Sequence, residues 1–226
     1  MMRQLPLPLP HDAAMSADDF LVTPCNREAA AWIEKWPEWP SHGLILTGLP
    51  GSGKTHLLNL WLEKSKGNLI TKTDLLAHTA APLTATTTFL AFDNADALAG
   101  EEAAEEKLFH LFNHLKEIKG SLLLTMTRSA GQAGFLLPDL RSRLLTLPVA
   151  ALLPPDDTLL EALIIKQFRD RQIMLDTGVV SYLAPRIARD AAGIRSMVEK
   201  LDLASLAEGR KITVALARKI LEDSFG

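Results

Sequence analysis

The octapeptide Gly48-Leu49-Pro50-Gly51-Ser52-Gly53-Lys54-Thr55 restricts this chain more than any other stretch. It fits G-x-x-x-x-G-K-[ST], a loop whose glycines let backbone N–H groups turn inward around phosphate oxygens at the start of a helix. The flanks fit as well. Residues 43–47 are a short apolar run of the kind that becomes a buried parallel strand, and Leu57, Leu58, Leu60 and Trp61 open an amphipathic helix. The pattern predicts a strand–loop–helix unit that holds a nucleoside diphosphate or triphosphate. Lys54 is expected on the β- and γ-phosphates, and Thr55 is expected to offer its hydroxyl to Mg²⁺. Gly48, Pro50, Gly51, Ser52, Gly53 and His56 are the other residues expected against the nucleotide.

Composition frames that unit. The 226 residues suffice for one large domain or for a core with a small appendage, and 47% hydrophobic content supplies a real interior. A net charge of −3 argues against a dedicated nucleic-acid-binding surface. Cys25 is the only cysteine, which rules out an internal disulfide and a Cys-rich zinc site and fits a reducing cytoplasm, the expected location. No run reaches the roughly 18 apolar residues of a membrane span, so no membrane partner is expected. The N-terminus lacks the continuous apolar core of a secretory signal.

Upstream of the loop, Asn26 is a candidate N-cap for a helix that Pro37 ends. By resemblance to P-loop ATPases, in many of which the segment before the first strand cups the adenine, residues 20–26 are expected to do so here. Trp36 and Trp39 read as packing residues. Downstream, strands are predicted at 67–71, 86–92, 121–127 and 145–150, with helix and loop over 75–83 and an amphipathic helix over 101–119. The strand over 86–92 ends in Asp93, the place for a Mg²⁺-holding acid, although Asp93 could also be an N-cap. Asn94 follows it. An amide cannot act as a general base, yet it can hydrogen-bond water, and Asp96 could partly substitute. Thr127, at the tip of the 121–127 strand, is a candidate sensor of the γ-phosphate, with Thr125, facing the core or a helix, as the alternative. His110 and His114 lack a recognisable third ligand and read as surface or partly packed residues. Arg141 and Arg143 flank Ser142 before the last strand; a guanidinium there could serve as a finger acting in trans, or simply make a salt bridge. After Pro154-Pro155, Asp156 and Asp157 cap a set of helices: one from Leu159 to Phe168, one over 179–187 kinked at Pro185, one through Ile194, and one capped by Thr213. Arg195 is placed in the first turn of the third of these. That position opposes the helix dipole, and reaching a phosphate would explain it.

Residues 1–16 read as an extended tail, since Pro6, Pro8 and Pro10 alternate with Leu5, Leu7 and Leu9. Exposed leucines in a proline-rich peptide suit docking on a partner. The segment from Gln4 to Leu9 resembles the peptide with which bacterial replication proteins hold the sliding clamp.

Taken together, the phosphate loop, Phe92-Asp93-Asn94, residues 140–144 and Gly193-Ile194-Arg195 resemble the AAA+ ATPases. Within them the chain is similar to the DnaA-related proteins, most closely the shortened Hda group, over residues 4–221. The resemblance implies an α/β fold: a P-loop AAA+ core over 17–153, with a parallel five-stranded sheet between helices, and a helical lid over 154–226. It implies that Arg143 is the finger, that Arg195 is the lid's second sensor, and that ADP or ATP is bound with Mg²⁺. It also implies the partners: the DNA polymerase III sliding clamp through Gln4, Leu5, Leu7 and Leu9, and the initiator DnaA. DnaA's bound ATP would be hydrolysed and further initiation prevented. A helix-turn-helix DNA-binding domain is not expected after Gly226, so sequence-specific DNA binding is not expected; a homo-oligomer is compatible. Arg141 and Thr127 depart from the group's pattern. The competing expectations are an autonomous ATPase of helicase-loader type on single-stranded DNA, a nucleotide kinase, and an adaptor with a structural nucleotide.

Overall fold

The computed structural model describes residues 20–225; the residues of the predicted tail, Gln4, Leu5, Leu7 and Leu9 among them, lie outside that range. Helix α1 (Arg27–Lys35) leads to strand β1 (Gly43–Gly48) and helix α2 (Lys54–Ser65). Then come β2 (Asn68–Leu69), α3 (Lys72–Ala77), α4 (Ala80–Leu83) and β3 (Phe89–Phe92), the last followed by a 3₁₀ turn (Ala95–Leu98). Helix α5 (Glu102–Glu117), strand β4 (Ser121–Met126), helix α6 (Pro138–Leu145) and strand β5 (Val149–Leu152) complete the first part. Among the described residues the five strands form one sheet in the order β2-β3-β4-β1-β5, and every pairing is parallel.

Parallel strands need crossovers, and helices on both faces make the strands apolar throughout. Alternate residues accordingly enter different clusters. Leu44, Leu46, Ala91, Leu123, Ala150 and Leu152 pack with α1 and α2 around Trp61. Ile45, Leu90, Phe92, Leu122 and Leu124 pack on the opposite face with Leu108, Leu111, Phe112 and Leu115 of α5 and Leu140 and Leu144 of α6. Trp36 and Trp39 are packing residues, as their turn suggested. Trp39 stacks on Trp61 with ring centroids 5.6 Å apart, and Trp36 meets the same ring edge-on at 5.9 Å. Their indoles are satisfied as well, Trp39 donating to the Trp32 carbonyl at 2.7 Å and Trp36 to Ser121 Oγ at 3.2 Å.

The remaining helices are α7 (Asp157–Arg169), α8 (Thr177–Leu183), α9 (Ala191–Glu208) and α10 (Val214–Phe225). Leu160, Ile164 and Phe168 of α7 meet Val180 and Leu183 of α8, Ile194, Val198 and Leu201 of α9, and Leu216 and Leu221 of α10 in a cluster of their own. Asp156 caps α7, its Oδ1 accepting from Leu159 N at 2.8 Å.

Several local expectations need correction. The last strand does not begin at residue 145: Pro138, well suited to a helix's first turn, starts a helix that carries both arginines through Leu145. Asn26 occupies the N-cap position without capping. Its side chain turns back, accepting from Thr23 N at 2.9 Å and donating to the Leu21 carbonyl at 3.0 Å. Helix α8 closes at Leu183, before Pro185, instead of kinking there. Helix α9 starts at Ala191 with Asp190 capping Gly193 N at 2.7 Å, so Arg195 is its fifth residue and lies past the first turn. The dipole argument for Arg195 therefore lapses.

Candidate nucleotide-binding site

The loop between β1 and α2 is shaped by two glycines in the left-handed region, Gly51 at φ 77° and Gly53 at φ 100°. Gly48 is needed for a different reason. A Cβ there would stand 2.5 Å from Ser52 Oγ and 2.7 Å from the Leu152 carbonyl oxygen, so any side chain would force the loop off β5. Gly53 sits at the N-cap of α2 without a side-chain cap, so no capping side chain takes the first N–H groups of the helix. Ser52 Oγ is buried with no protein partner. An orphaned hydroxyl beside uncapped helix N–H groups is the donor set that a phosphate completes.

Lys54 is buried and its Nζ donates to the carbonyls of Gly48 at 2.7 Å and Leu49 at 2.9 Å. Burial pushes its ammonium below the ordinary lysine range, while the carboxylates of Asp93 and Asp96 pull the other way. Thr55 Oγ1 donates to Asp93 Oδ2 at 2.8 Å, which brings the two predicted Mg²⁺ residues together. One hydroxyl and one carboxylate fit Mg²⁺, which keeps several waters and is commonly shared with substrate phosphates. Lys54→Ala is expected to weaken nucleotide binding about a hundredfold, measured by equilibrium titration with a fluorescent adenine nucleotide.

Phe20 brings its ring to 5.2 Å from that of His56, which joins the segment before α1 to the first turns of α2. Both are among the residues expected against a base or nucleotide. Leu153 N donates to the Cys25 carbonyl at 2.9 Å, tying that segment to the end of β5.

Asn94 is exposed and left-handed, at φ 59° and ψ 48°. Asp96 is buried and occupied: its Oδ1 accepts from Thr127 N at 3.0 Å and its Oδ2 from Arg128 N at 3.0 Å, with the Arg128 guanidinium beside it at 3.5 Å. Asp96 thus staples the end of β4 to the turn after β3, and Arg128 makes a structural contact with it. Thr127 is half-buried at the tip of β4, between β3 and β1. Thr125, the alternative expected to face the core or a helix, is buried, and its hydroxyl donates to Asp93 Oδ1 and accepts from Asn94 N at 2.8 Å.

Arg143 is exposed on α6, and its guanidinium has no hydrogen bond or ion pair among the described residues. Arg141, also exposed, leans back on the Gly131 carbonyl at 3.4 Å. Arg195 is exposed on α9 and likewise unpaired among the described residues. His114 Nε2 lies 3.0 Å from Thr84 Oγ1, and no group of three or more His, Cys, Asp or Glu side chains among the described residues forms a metal site.

A residue not singled out beforehand holds α6 in place. Glu105, with 0% exposure, accepts from Gly100 N at 2.8 Å and Leu136 N at 3.0 Å through Oε1, and from Leu137 N at 2.7 Å through Oε2. Its signal is readable: Glu105 falls three before Leu108 and seven before Phe112, on the apolar stripe of α5.

Residues 156–221 match the family model described as "Hda, lid domain". The chain is 28% identical to the chromosomal replication initiator protein DnaA of Helicobacter pylori (strain HPAG1), with 91% of the chain aligned to 50% of that protein. It is 26% identical to DnaA of Magnetococcus marinus, with 94% aligned to 52%. The chain thus spans about half the length of the curated relatives it matches. Domain III of the Thermotoga maritima DnaA superposes with a TM-score of 0.81 at 22% identity, covering 95% of this chain and 98% of that one. A replication initiator DnaA bound to AMPPCP and single-stranded DNA gives a TM-score of 0.70 at 18% identity, over 88% and 69% of the two chains. A variant of the Thermotoga maritima RuvB gives 0.70 at 20% identity, over 92% and 71%. No described helix is long and apolar enough to cross a membrane.

Proposed function

From the premise that this chain is a DnaA-related AAA+ protein with an Hda-type lid, we propose that it is a nucleotide-dependent activator of ATP hydrolysis on DnaA. Adenine nucleotide, ADP or ATP, sits in the loop at Gly48, Pro50, Gly51, Ser52, Gly53, Lys54 and Thr55, with His56 beside it. Mg²⁺ is held through Thr55 and Asp93; Thr127 and Arg195 read the nucleotide's state. Residues 1–16 dock on the DNA-loaded sliding clamp through Gln4, Leu5, Leu7 and Leu9. The core over 17–153 and the lid over 154–226 then present Arg143 to ATP held by DnaA, and the resulting hydrolysis limits repeated initiation.

The observation that carries this reading is an imbalance at the site. Lys54, Thr55 and Asp93 converge as nucleotide-holding groups, whereas the position after Asp93 is an amide and Asp96 is committed to main-chain N–H groups. A chain that retains nucleotide with little capacity to activate water, and that exposes an unpaired arginine, suits an activator better than a motor.

The test combines this protein with clamp loaded on DNA and ATP-bound DnaA and follows phosphate release. Hydrolysis should rise on addition of the protein, and the rise should vanish when Gln4 and Leu5 are both replaced by alanine. An unchanged rate, or stimulation that survives those replacements, sinks the mechanism. Strong turnover by the protein alone with single-stranded DNA identifies the helicase-loader type instead.

A further inference from the structure

We propose that Thr125 is a positioning residue of the metal site, fixing the Asp93 carboxylate and the Asn94 main chain in the geometry that Mg²⁺ requires. The inference rests on the nucleotide and Mg²⁺ part of the proposed function and is independent of the clamp and of DnaA.

Thr125 is the one polar residue in the run from Leu122 to Met126, and it is 0% exposed, as are its four apolar companions. A hydroxyl in such surroundings is costly unless its donor and acceptor capacities are both used. Both are. The proton goes to Asp93 Oδ1, and a lone pair accepts the Asn94 N–H at 2.8 Å. The other carboxylate oxygen, Oδ2, accepts from Thr55 Oγ1 at 2.8 Å. Asp93 is therefore gripped on both oxygens, by a residue of the nucleotide loop's helix on one side and by the neighbouring strand on the other. The strand pairing makes the grip possible, because Phe92 lies opposite Leu124 and places Asp93 beside Thr125.

Asn94 supplies the second half of the argument. A left-handed backbone is uncommon for a residue with a side chain, although asparagine tolerates it better than most. At φ 59° the Asn94 N–H points into the sheet and finds Thr125. The same hydroxyl thus sets the carboxylate's rotamer and the sharp turn that follows it. Residues that orient a metal-holding carboxylate tune metal affinity without touching the metal. Thr127 has no such contact with Asp93, so the two threonines at the end of β4 do different work.

Thr125→Val keeps the shape and removes the hydroxyl, while Thr125→Ser keeps the hydroxyl. The experiment titrates Mg²⁺ into the full chain with a fluorescent adenine nucleotide and compares the half-point with the nucleotide affinity in EDTA. In Thr125→Val the Mg²⁺ half-point should rise about tenfold or more, the usual scale for losing an outer-shell partner. Its EDTA affinity should stay within about twofold of wild type, and Thr125→Ser should restore the wild-type half-point. A purely structural role would instead lower affinity equally with and without Mg²⁺. Should the valine variant not fold, Thr125→Cys, with its weaker S–H donor, carries the test and should also raise the half-point. An unshifted half-point, an equal loss in EDTA, or failure of serine to restore it overturns the inference alone. A wild-type chain that binds no nucleotide overturns the nucleotide reading, and the inference with it.

Discussion

Arg143→Ala is expected to lower the stimulated hydrolysis of DnaA-bound ATP by on the order of a thousandfold, the scale on which a finger arginine acts. The same change should leave nucleotide binding by this chain unaltered. Arg143 is exposed on α6 while Leu140 and Leu144 on the same helix are fully buried, so the truncation removes no packing. Arg143→Lys should recover only a fraction of the activity, because an ammonium keeps the charge and loses the planar fork. Arg141 provides the internal control. Its guanidinium leans on the Gly131 carbonyl, and Arg141→Ala should cost much less than Arg143→Ala. The reverse order would make Arg141 the finger. Phosphate release from DnaA, with clamp and DNA present, decides between them.

Glu105→Ala is expected to destabilise the α/β core by about 3 kcal/mol. Hydrogen bonds to a charged acceptor are worth roughly 1.5–3 kcal/mol each, and water can reach some of the donors that the change releases, which keeps the total below the sum of three. For a chain of this size about 3 kcal/mol corresponds to a midpoint lowered by about 6–12 °C. Thermal unfolding followed by circular dichroism checks it. Glu105→Gln should cost less, since one amide oxygen can still serve Gly100 N and Leu136 N while the NH₂ group faces the Leu137 N–H. There is a functional corollary. Leu137 immediately precedes Pro138, the first residue of α6, so loosening it also loosens the mount of Arg143. A wild-type melting curve for Glu105→Ala would remove the basis of this expectation.

Much of the fold is legible in the sequence where one physical signal dominates. The strand–loop–helix unit is legible because glycine, lysine and threonine at fixed spacing serve one geometry. The strands ending at Phe92 and Met126 are legible because buried parallel strands leave apolar runs. The boundary between α6 and the fifth strand is less so: Leu144, Leu145 and Leu147 carry the apolar run almost to Val149, and only Thr146 and Pro148 interrupt it. Asn26 misleads because an amide at an N-cap position can serve the preceding turn as readily as the helix. At the site, Thr55 and Asp93 could be paired from their motifs. The division between Thr125 and Thr127, and the commitment of Asp96 to β4, depend on strand register. Register brings together residues some thirty positions apart, and periodicity does not report it.

The Lys54 contacts with Gly48 and Leu49 carry a kinetic and energetic consequence. Those two carbonyls take two of the ammonium's three donors, so they compete with phosphate oxygens for the same group. A phosphate that calls on more than the remaining donor must displace one of them, and the affinity is then reduced by the cost of that exchange. The loop therefore holds affinity in reserve. A surface that draws the Gly48 and Leu49 carbonyls away would tighten the grip on nucleotide without touching the nucleotide at all.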